Sequence, residues 1–303
     1  MNKILLLILL IQIHGVISTD WGYSDKDGPD TWEGTCSTGL RQSPIDIRAS
    51  DVDYALLNRL HFVHYDHSGK AILANNGHTV SMSGFTNWTL PPYVMGGAMK
   101  GKYYLQQFHL HWGQRDDEGS EHRMGGLAYP AELHLVHFKE GISARQAMEQ
   151  GDGIVVVGVF LQVHNNGEPI AAMANALEDV IEPGDSEIVE TFRPRNVLPE
   201  QTDAYYHYEG SLTTPGCNEA VQWYVLSEPI PITQKQLIDL RRIHNHHEEA
   251  HKYNYRPPQP LHGRRVLFRP VQYNRAKFCG SSSSTLLSIL PFALLAIVIG
   301  IRL

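Results

Sequence analysis

The chain contains 303 residues, of which 42% are hydrophobic, 9% aromatic and 19% charged. These proportions are typical of a folded globular protein and exclude a disordered, collagenous or coiled-coil chain. The formal net charge is −7 at pH 7, and no long run of Lys and Arg occurs, which argues against a nucleic acid as partner.

Residues 1–18 are predicted to be a secretory signal peptide. Lys3 precedes an apolar run over residues 4–13, and Val16, Ile17 and Ser18 complete the pattern. The apolar run is too short for a membrane-spanning helix, which needs about 20 residues. We therefore expect cleavage after Ser18 and entry into the secretory pathway.

The middle of the chain is predicted to be one domain, residues 19–280, without a linker or an internal repeat. Frequent Gly and Pro residues predict many short strands joined by turns. Two helices are predicted from apolar spacing, one over residues 169–181 and one beginning after a capping threonine, Thr233. The predicted fold class is mostly β (α+β), with a large twisted, mainly antiparallel sheet and a few short peripheral helices. The predicted strands cover residues 71–75, 103–112, 131–138, 154–163, 220–226 and 265–268.

The cysteines and one glycosylation sequon fit a secreted chain. Three cysteines predict one disulfide and one cysteine left over. Cys36 and Cys217 lie inside the globular region, whereas Cys279 borders the apolar tail, so pairing of Cys36 with Cys217 is favoured. The sequon at Asn87 predicts an optional N-glycosylation site.

Residues 281–303 are predicted to be a hydrophobic GPI-attachment propeptide. Small residues precede an apolar stretch over residues 286–301, as in such signals. The alternative is a short transmembrane anchor, but this stretch is shorter than the usual span of about 17–25 residues. We favour the lipid anchor, with attachment between Cys279 and Ser282. A single-pass or a fully secreted protein remains the alternative.

Histidines in two predicted strands indicate a metal site. His109 and His111 are two residues apart and therefore point to the same face of a strand. His134 lies in the next predicted strand, which is close enough in sequence to be the antiparallel neighbour. Three imidazoles with one open position are typical of a catalytic zinc site. Gln107 and Glu132 each precede a histidine by two residues and are therefore expected to accept its second ring hydrogen.

Longer motifs around these residues resemble the α-class carbonic anhydrases, in the order of that family, over nearly all of residues 21–268. The resemblance is closest to the extracellular, membrane-anchored (GPI-type) members, which link the two cysteine segments by a disulfide that braces the loop after Thr213. The motifs are Trp21-Gly22-Tyr23, Gln42-Ser43-Pro44-Ile45-Asp46-Ile47, Asn75-Asn76-Gly77-His78, Gln107-Phe108-His109-Leu110-His111-Trp112-Gly113, Gly119-Ser120-Glu121-His122, Ala131-Glu132-Leu133-His134-Leu135-Val136-His137 and Gly210-Ser211-Leu212-Thr213-Thr214-Pro215.

The resemblance implies one Zn²⁺ per chain and a role for each matching residue. The zinc ligands would be His109, His111 and His134, with hydrogen bonds to Gln107, to the backbone carbonyl of Asn254 and to Glu132, respectively. Thr213 would be the gatekeeper that orients the attacking oxygen, itself oriented by Glu121. Residues expected to line the carbon dioxide site are Thr214, Val136, Val156, Leu212, Val221 and Trp223.

The resemblance also implies a route for the proton that the reaction releases. His78 matches the family's proton shuttle, and an imidazole with a pKa near 6.5 can carry a proton at physiological pH. Tyr23, Asn76 and Ser81 would border the water path beside it.

The function implied is the zinc-dependent reversible hydration of carbon dioxide to bicarbonate and a proton at the outer cell surface. Such an enzyme would regulate pH and is expected to work beside bicarbonate transporters. The alternative is a non-catalytic carbonic-anhydrase-like binding or matrix domain. Domains of that kind typically lack a zinc histidine, whereas His109, His111 and His134 are all present here.

Overall fold

A computed structural model describes residues 21–247 and 249–271. The predicted signal peptide, the GPI-attachment segment and Cys279 lie outside the described residues. In the described part of the chain, no helix combines the length and the apolar character that crossing a membrane requires.

Among the described residues, strands are the main regular secondary structure, as the sequence predicts. The strands are β1 (Asp46–Ile47), β2 (Val52–Tyr54), β3 (Leu60–Val63), β4 (Gly69–Asn75), β5 (Val80–Ser83), β6 (Tyr93–Gly96), β7 (Tyr103–Trp112), β8 (Arg123–Met124), β9 (Ala131–Lys139), β10 (Ile154–Val163), β11 (Ser186–Phe192), β12 (Tyr205–Gly210), β13 (Val221–Leu226), β14 (Ile230–Ile232) and β15 (Val266–Arg269). The six predicted strands correspond to β4, β7, β9, β10, β13 and β15, with ends that differ by at most two residues.

Thirteen of these strands form one large, mainly antiparallel sheet, so the predicted fold class is confirmed. Ten strands follow one another in the order β11–β4–β5–β7–β9–β10–β13–β12–β15–β2. Of the other three, β14 pairs with β10, β6 pairs with β7, and β3 pairs with β6. The pairs β10–β13, β10–β14 and β15–β2 are parallel. A separate two-stranded parallel sheet joins β1 and β8.

The central strands β7, β9 and β10 separate two apolar clusters. Because side chains alternate along a strand, Phe108, Leu110 and Leu135 face the larger core. Val136 and Val156, whose side chains point to the opposite face of the sheet, lie in a smaller apolar cluster. β10 is buried from Ile154 to Leu161, which explains its continuous apolar sequence, since strands covered on both faces need not alternate.

The helices are short and lie outside the sheet. They are α1 (Thr35–Thr38), α2 (Ala144–Glu149), α3 (Ala171–Ala174) and α4 (Gln234–Leu240), with 3₁₀ turns at Pro29–Thr31, Ala49–Asp51, Phe85–Asn87, Glu168–Ile170, Leu177–Asp179 and Pro194–Val197. The predicted start at Thr233 is confirmed, because its side chain accepts a hydrogen bond from the Gln236 backbone in a capping box.

The prediction of one helix over residues 169–181 was wrong. This stretch is divided into two 3₁₀ turns and α3, and the backbone leaves the helical region at Ala176, where φ is −101° and ψ is 0°. Its apolar residues Ile170, Met173 and Leu177 are nevertheless buried in the larger core. Short helices depend on packing for their stability, so separate turns can bury the same side chains.

Candidate metal centre

Adjacent strands bring the three predicted zinc histidines together. In the antiparallel pair β7–β9, His109 lies opposite His134, and His111 lies opposite Glu132. Directly opposed residues share a face, so His109, His111 and His134 project to the same side. Each offers a ring nitrogen, and these atoms all lie within 4.8 Å of one another.

The remaining ring nitrogens are held by the acceptors that the sequence predicts. His109 Nδ1 donates to Gln107 Oε1 over 2.9 Å, and His134 Nε2 donates to Glu132 Oε1 over 2.8 Å. His111 Nδ1 donates to the Asn254 backbone oxygen over 2.7 Å. These bonds fix the orientation and tautomer of each imidazole, as is usual for metal-binding histidines.

The donor set fits zinc. His111 Nε2 is buried without a hydrogen-bond partner among the described residues, which is the environment of a nitrogen that binds a metal. Burial, together with the neighbouring imidazoles, lowers the pKa of His109 well below its usual value, and burial also lowers the pKa of His111. Both rings are therefore neutral at physiological pH, as zinc coordination requires.

A second group of possible metal ligands is formed by His122, Glu132 and His134, whose ligand atoms also lie within 4.8 Å of one another. These side chains, however, are already hydrogen-bonded to each other or to Tyr208. Glu132 accepts from the His122 backbone N–H (2.8 Å) and from His122 Nδ1 (2.7 Å), and His122 Nε2 lies 2.7 Å from the Tyr208 hydroxyl. Because these atoms have partners, the group is a network that fixes Glu132. Burial alone would raise the pKa of Glu132, but His122 and His134 lower it well below its usual value.

Gly158 of β10 leaves space for this carboxylate. It lies opposite His134, and a Cβ at this position would lie 3.0 Å from Glu132 Oε1. A glycine inside a strand often marks such a close approach. The sequence analysis did not identify Gly158, although its isolated position in an apolar strand was a usable signal.

Glu121 and Thr213 are both buried, but the hydrogen bond expected between them is not formed in the described part of the chain. Glu121 Oε1 accepts from the Arg256 backbone N–H over 2.8 Å, whereas its Oε2 has no partner. The carboxylate lies 3.5 Å from His111 Nδ1 and 3.7 Å from His134 Nδ1. The unpartnered oxygen is therefore an available acceptor beside the site.

The predicted carbon dioxide residues form one apolar group. Four of them are buried in the smaller cluster, and Leu212 packs against it. The Trp223 ring centroid lies 4.8 Å from that of His134, so the cluster borders the histidines directly. Thr214 is half-buried and lies in the adjacent loop. The four buried members are Val136, Val156, Val221 and Trp223.

His78 occupies an environment that the sequence does not predict. Its ring stacks on Trp21, with centroids 3.6 Å apart and planes within 5°, and its Nε2 lies 3.2 Å from His246 Nε2. Burial, followed by the charges of His246 and His251, lowers its pKa to about 3. The role of His78 as a proton shuttle stays a prediction.

The residues predicted to border the proton path lie on the same side of the protein as His78. Asn76 Oδ1 accepts from the His78 backbone N–H over 3.0 Å, so its side chain shapes the turn. Ser81 lies opposite His109 in the pair β5–β7. Tyr23 contacts Trp21 edge to face, and burial and the charge of Glu121 raise its pKa well above the usual value.

The predicted disulfide between Cys36 and Cys217 is confirmed, with Cα atoms 5.0 Å apart and a sequence separation of 181. The Cys217 backbone N–H donates to the Thr214 carbonyl over 2.9 Å, so the bridge holds the loop that follows Thr213. Asn87, in the predicted glycosylation sequon, is exposed, and its glycosylation stays a prediction.

Arg256 is the main supporting residue that the sequence analysis missed. Although it is only 2% exposed, its guanidinium donates to Gln42 Oε1 (2.8 Å) and to the carbonyl oxygens of Ser43 (2.8 Å) and Cys36 (2.7 Å). It thus joins the N-terminal segment to the backbone beside Glu121. Its neighbours are distant in sequence, so no local pattern could reveal this role.

Comparisons with known proteins agree with this geometry. A family model described as eukaryotic-type carbonic anhydrase matches residues 27–270. Putative carbonic anhydrase 5 of Caenorhabditis elegans is 48% identical over 306 residues, covering 97% of this chain and 98% of the relative. Putative carbonic anhydrase 3 of the same organism is 39% identical over 82% of this chain and 96% of its own. Human carbonic anhydrase 3 is 36% identical over 82% of this chain and 98% of its own.

Proposed function

The chain belongs to the eukaryotic-type carbonic anhydrase family, and from this premise we propose that it is an active zinc enzyme that hydrates carbon dioxide reversibly to bicarbonate and a proton. The observation that carries the proposal is the convergence of His109, His111 and His134, each with its second ring nitrogen hydrogen-bonded. A non-catalytic relative would have no need to keep three such imidazoles oriented around one point.

In this proposal, His109, His111 and His134 hold one zinc ion per chain. When bound, zinc acts as a Lewis acid that supplies a nucleophile from water at neutral pH. Gln107, Glu132 and the Asn254 carbonyl keep the imidazoles in place, which limits the reorganisation required when the metal binds.

The apolar cluster beside the histidines receives carbon dioxide. Val136, Val156 and Trp223 are buried next to His134, and an apolar surface positions an apolar substrate without binding it tightly. We propose that Thr213 donates its hydroxyl hydrogen to Glu121 Oε2 in the zinc-loaded protein, which would fix the direction of the hydroxyl lone pairs. Oε2 is buried without a partner among the described residues and is therefore available to accept this hydrogen bond.

The proposal is tested by stopped-flow measurement of carbon dioxide hydration with the wild-type protein and the His111→Ala variant. We expect wild-type turnover with one zinc per chain, and loss of both zinc and turnover in a folded His111→Ala protein. His61→Ala, which changes an exposed histidine, is the matched control and should behave like the wild type. A folded, zinc-loaded wild-type protein without turnover would favour a binding or matrix domain instead.

The proposed location is the outer face of the plasma membrane, with secretion directed by residues 1–18 and a lipid anchor attached near Cys279. Bicarbonate transporters in the same membrane would receive the product. Expressed in animal cells, the protein should be released by a phosphatidylinositol-specific phospholipase and should begin near Thr19. Retention after this treatment would favour the transmembrane alternative, and a shift on glycosidase treatment would establish modification at Asn87.

A further inference from the structure

His78 and His246 form a direct imidazole pair. Their Nε2 atoms lie 3.2 Å apart, and the rings meet edge to face with centroids separated by 4.5 Å. Since a neutral imidazole has one N–H donor and one acceptor, one ring donates this hydrogen bond and the other accepts it. The pair is therefore connected by a bond along which a proton can move.

The contact is built into the fold. Asn75, at the end of β4, donates from Nδ2 to the carbonyl oxygens of Ile181 (2.8 Å) and His244 (3.0 Å). This ties the base of the loop that carries His246 to the strand that leads to His78. Gly77 lies beneath the His246 ring, and a Cβ there would come within 2.3 Å of His246 Cε1. Any larger residue at this turn would displace His246.

The pair leads from the protein toward solvent. His78 is half-buried, and His246 is exposed. With Glu182, Pro183 and His244, His246 lines a surface cavity of about 400 Å³. The Glu182 carboxylate lies 2.9 Å from His244 Nδ1, so a carboxylate and a further imidazole stand where a proton would leave the protein.

The surroundings of His78 favour passing a proton on. Burial makes the largest contribution to its lowered pKa, a proton on His246 or His251 would lower it further, and Asp27 acts in the opposite sense. His247, the next residue in the loop, lies 3.6 Å from Asp27. A proton on His78 is therefore readily given up to a neighbouring base.

We propose that His246 is a second proton carrier, which takes each proton from His78 and releases it to solvent. The inference rests on the proposed hydration activity, because only that reaction supplies protons at this site. When Nδ1 of His78 accepts a proton, the Nε2–H bond of His78 breaks and the proton joins the lone pair on His246 Nε2. His78 becomes neutral with its hydrogen on Nδ1, and His246 becomes a cation from which a buffer base removes the Nδ1 proton. Proton exchange with solvent water then returns both rings to their starting tautomers before the next proton arrives.

The test compares His246→Gln with His61→Gln, an exchange of an exposed histidine on β3. In weak buffer, kcat of His246→Gln should fall by about tenfold, less than the roughly 100- to 10,000-fold typical of groups that transfer a proton directly to or from the reacting atoms. Its kcat/KM should stay unchanged, because proton export follows the hydration step. Added imidazole should restore kcat, and His61→Gln should match the wild type.

A second readout is independent of turnover. NMR titration of ring-labelled histidines should show that the pKa of His78 rises in His246→Gln, since removal of a nearby positive charge favours the protonated ring. His61→Gln should not raise it. An unchanged His78 titration, an unchanged kcat, or an equal fall of kcat in both variants would overturn the proposal. An inactive wild-type protein would refute the proposed function and with it the relay, even if the NMR titration still showed the coupled pair.

Discussion

Replacing Glu132 by glutamine is expected to weaken zinc binding, although Glu132 is not expected to touch the metal. Its two oxygens accept three hydrogen bonds, from His134 Nε2 (2.8 Å), His122 Nδ1 (2.7 Å) and the His122 backbone N–H (2.8 Å). Glutamine offers one oxygen and an NH₂ group. Whichever way the amide lies, at least one buried donor faces another donor.

The size of the effect follows from these contacts. A buried donor without an acceptor costs about 1–3 kcal/mol, and the substitution also removes the charge that strengthens the bond to His134. Loss of such a supporting partner typically weakens metal binding about 10- to 100-fold, or about 1.4–2.7 kcal/mol. Because His134 is directly affected, we expect the zinc dissociation constant to rise within this range.

The measurement is competition for zinc against a chromophoric chelator, with circular dichroism to verify folding. Glu187→Gln, which alters an exposed carboxylate on β11, is the matched control and should bind zinc like the wild type. Equal zinc affinity in folded Glu132→Gln and wild-type proteins would refute the argument that Glu132 fixes the His134 ligand.

Three further predictions follow from the described contacts. Because the Cys36–Cys217 bridge closes a separation of 181 residues, replacing both cysteines by serine should lower the free energy of unfolding by up to about 5 kcal/mol in urea denaturation, and an unchanged value would contradict the loop-closure argument. Burial lowers the pKa of His137 from 6.5 to about 3, so the neutral ring contributes stability above about pH 6.5 that is lost as the pH falls toward 3. In His137→Gln, this loss in the free energy of unfolding should be smaller by up to about 5 kcal/mol. Unfolding of the metal-free protein at several pH values measures the difference. Chelation of zinc should lower the melting temperature measured by calorimetry, and excess zinc should raise it again. This response should disappear in His111→Ala and persist in the control His61→Ala.

The sequence could predict the centre of the sheet because the relevant signals there are local. The spacing of His109 and His111 specifies one face of β7, and β9 follows closely enough to place His134 opposite His109. The capping threonine Thr233 likewise acts within its own helix. Such features depend on strand parity and short-range hydrogen bonds, which a single sequence contains.

The properties that escaped prediction depend on contacts between distant segments. His246, whose charge contributes to the lowered pKa of His78, is 168 residues away in sequence. Arg256 reaches Cys36 across 220 residues. The division of residues 169–181 into short turns also reflects tertiary packing, since its apolar spacing alone fits one continuous helix.

The most direct test of the central claim is a zinc titration of metal-free protein with carbon dioxide hydration as the readout. We expect activity to rise linearly with added zinc and to reach a plateau at one equivalent per chain, while folded His109→Ala protein stays inactive throughout. Stoichiometric binding of zinc at His109, His111 and His134 without any hydration activity would contradict it.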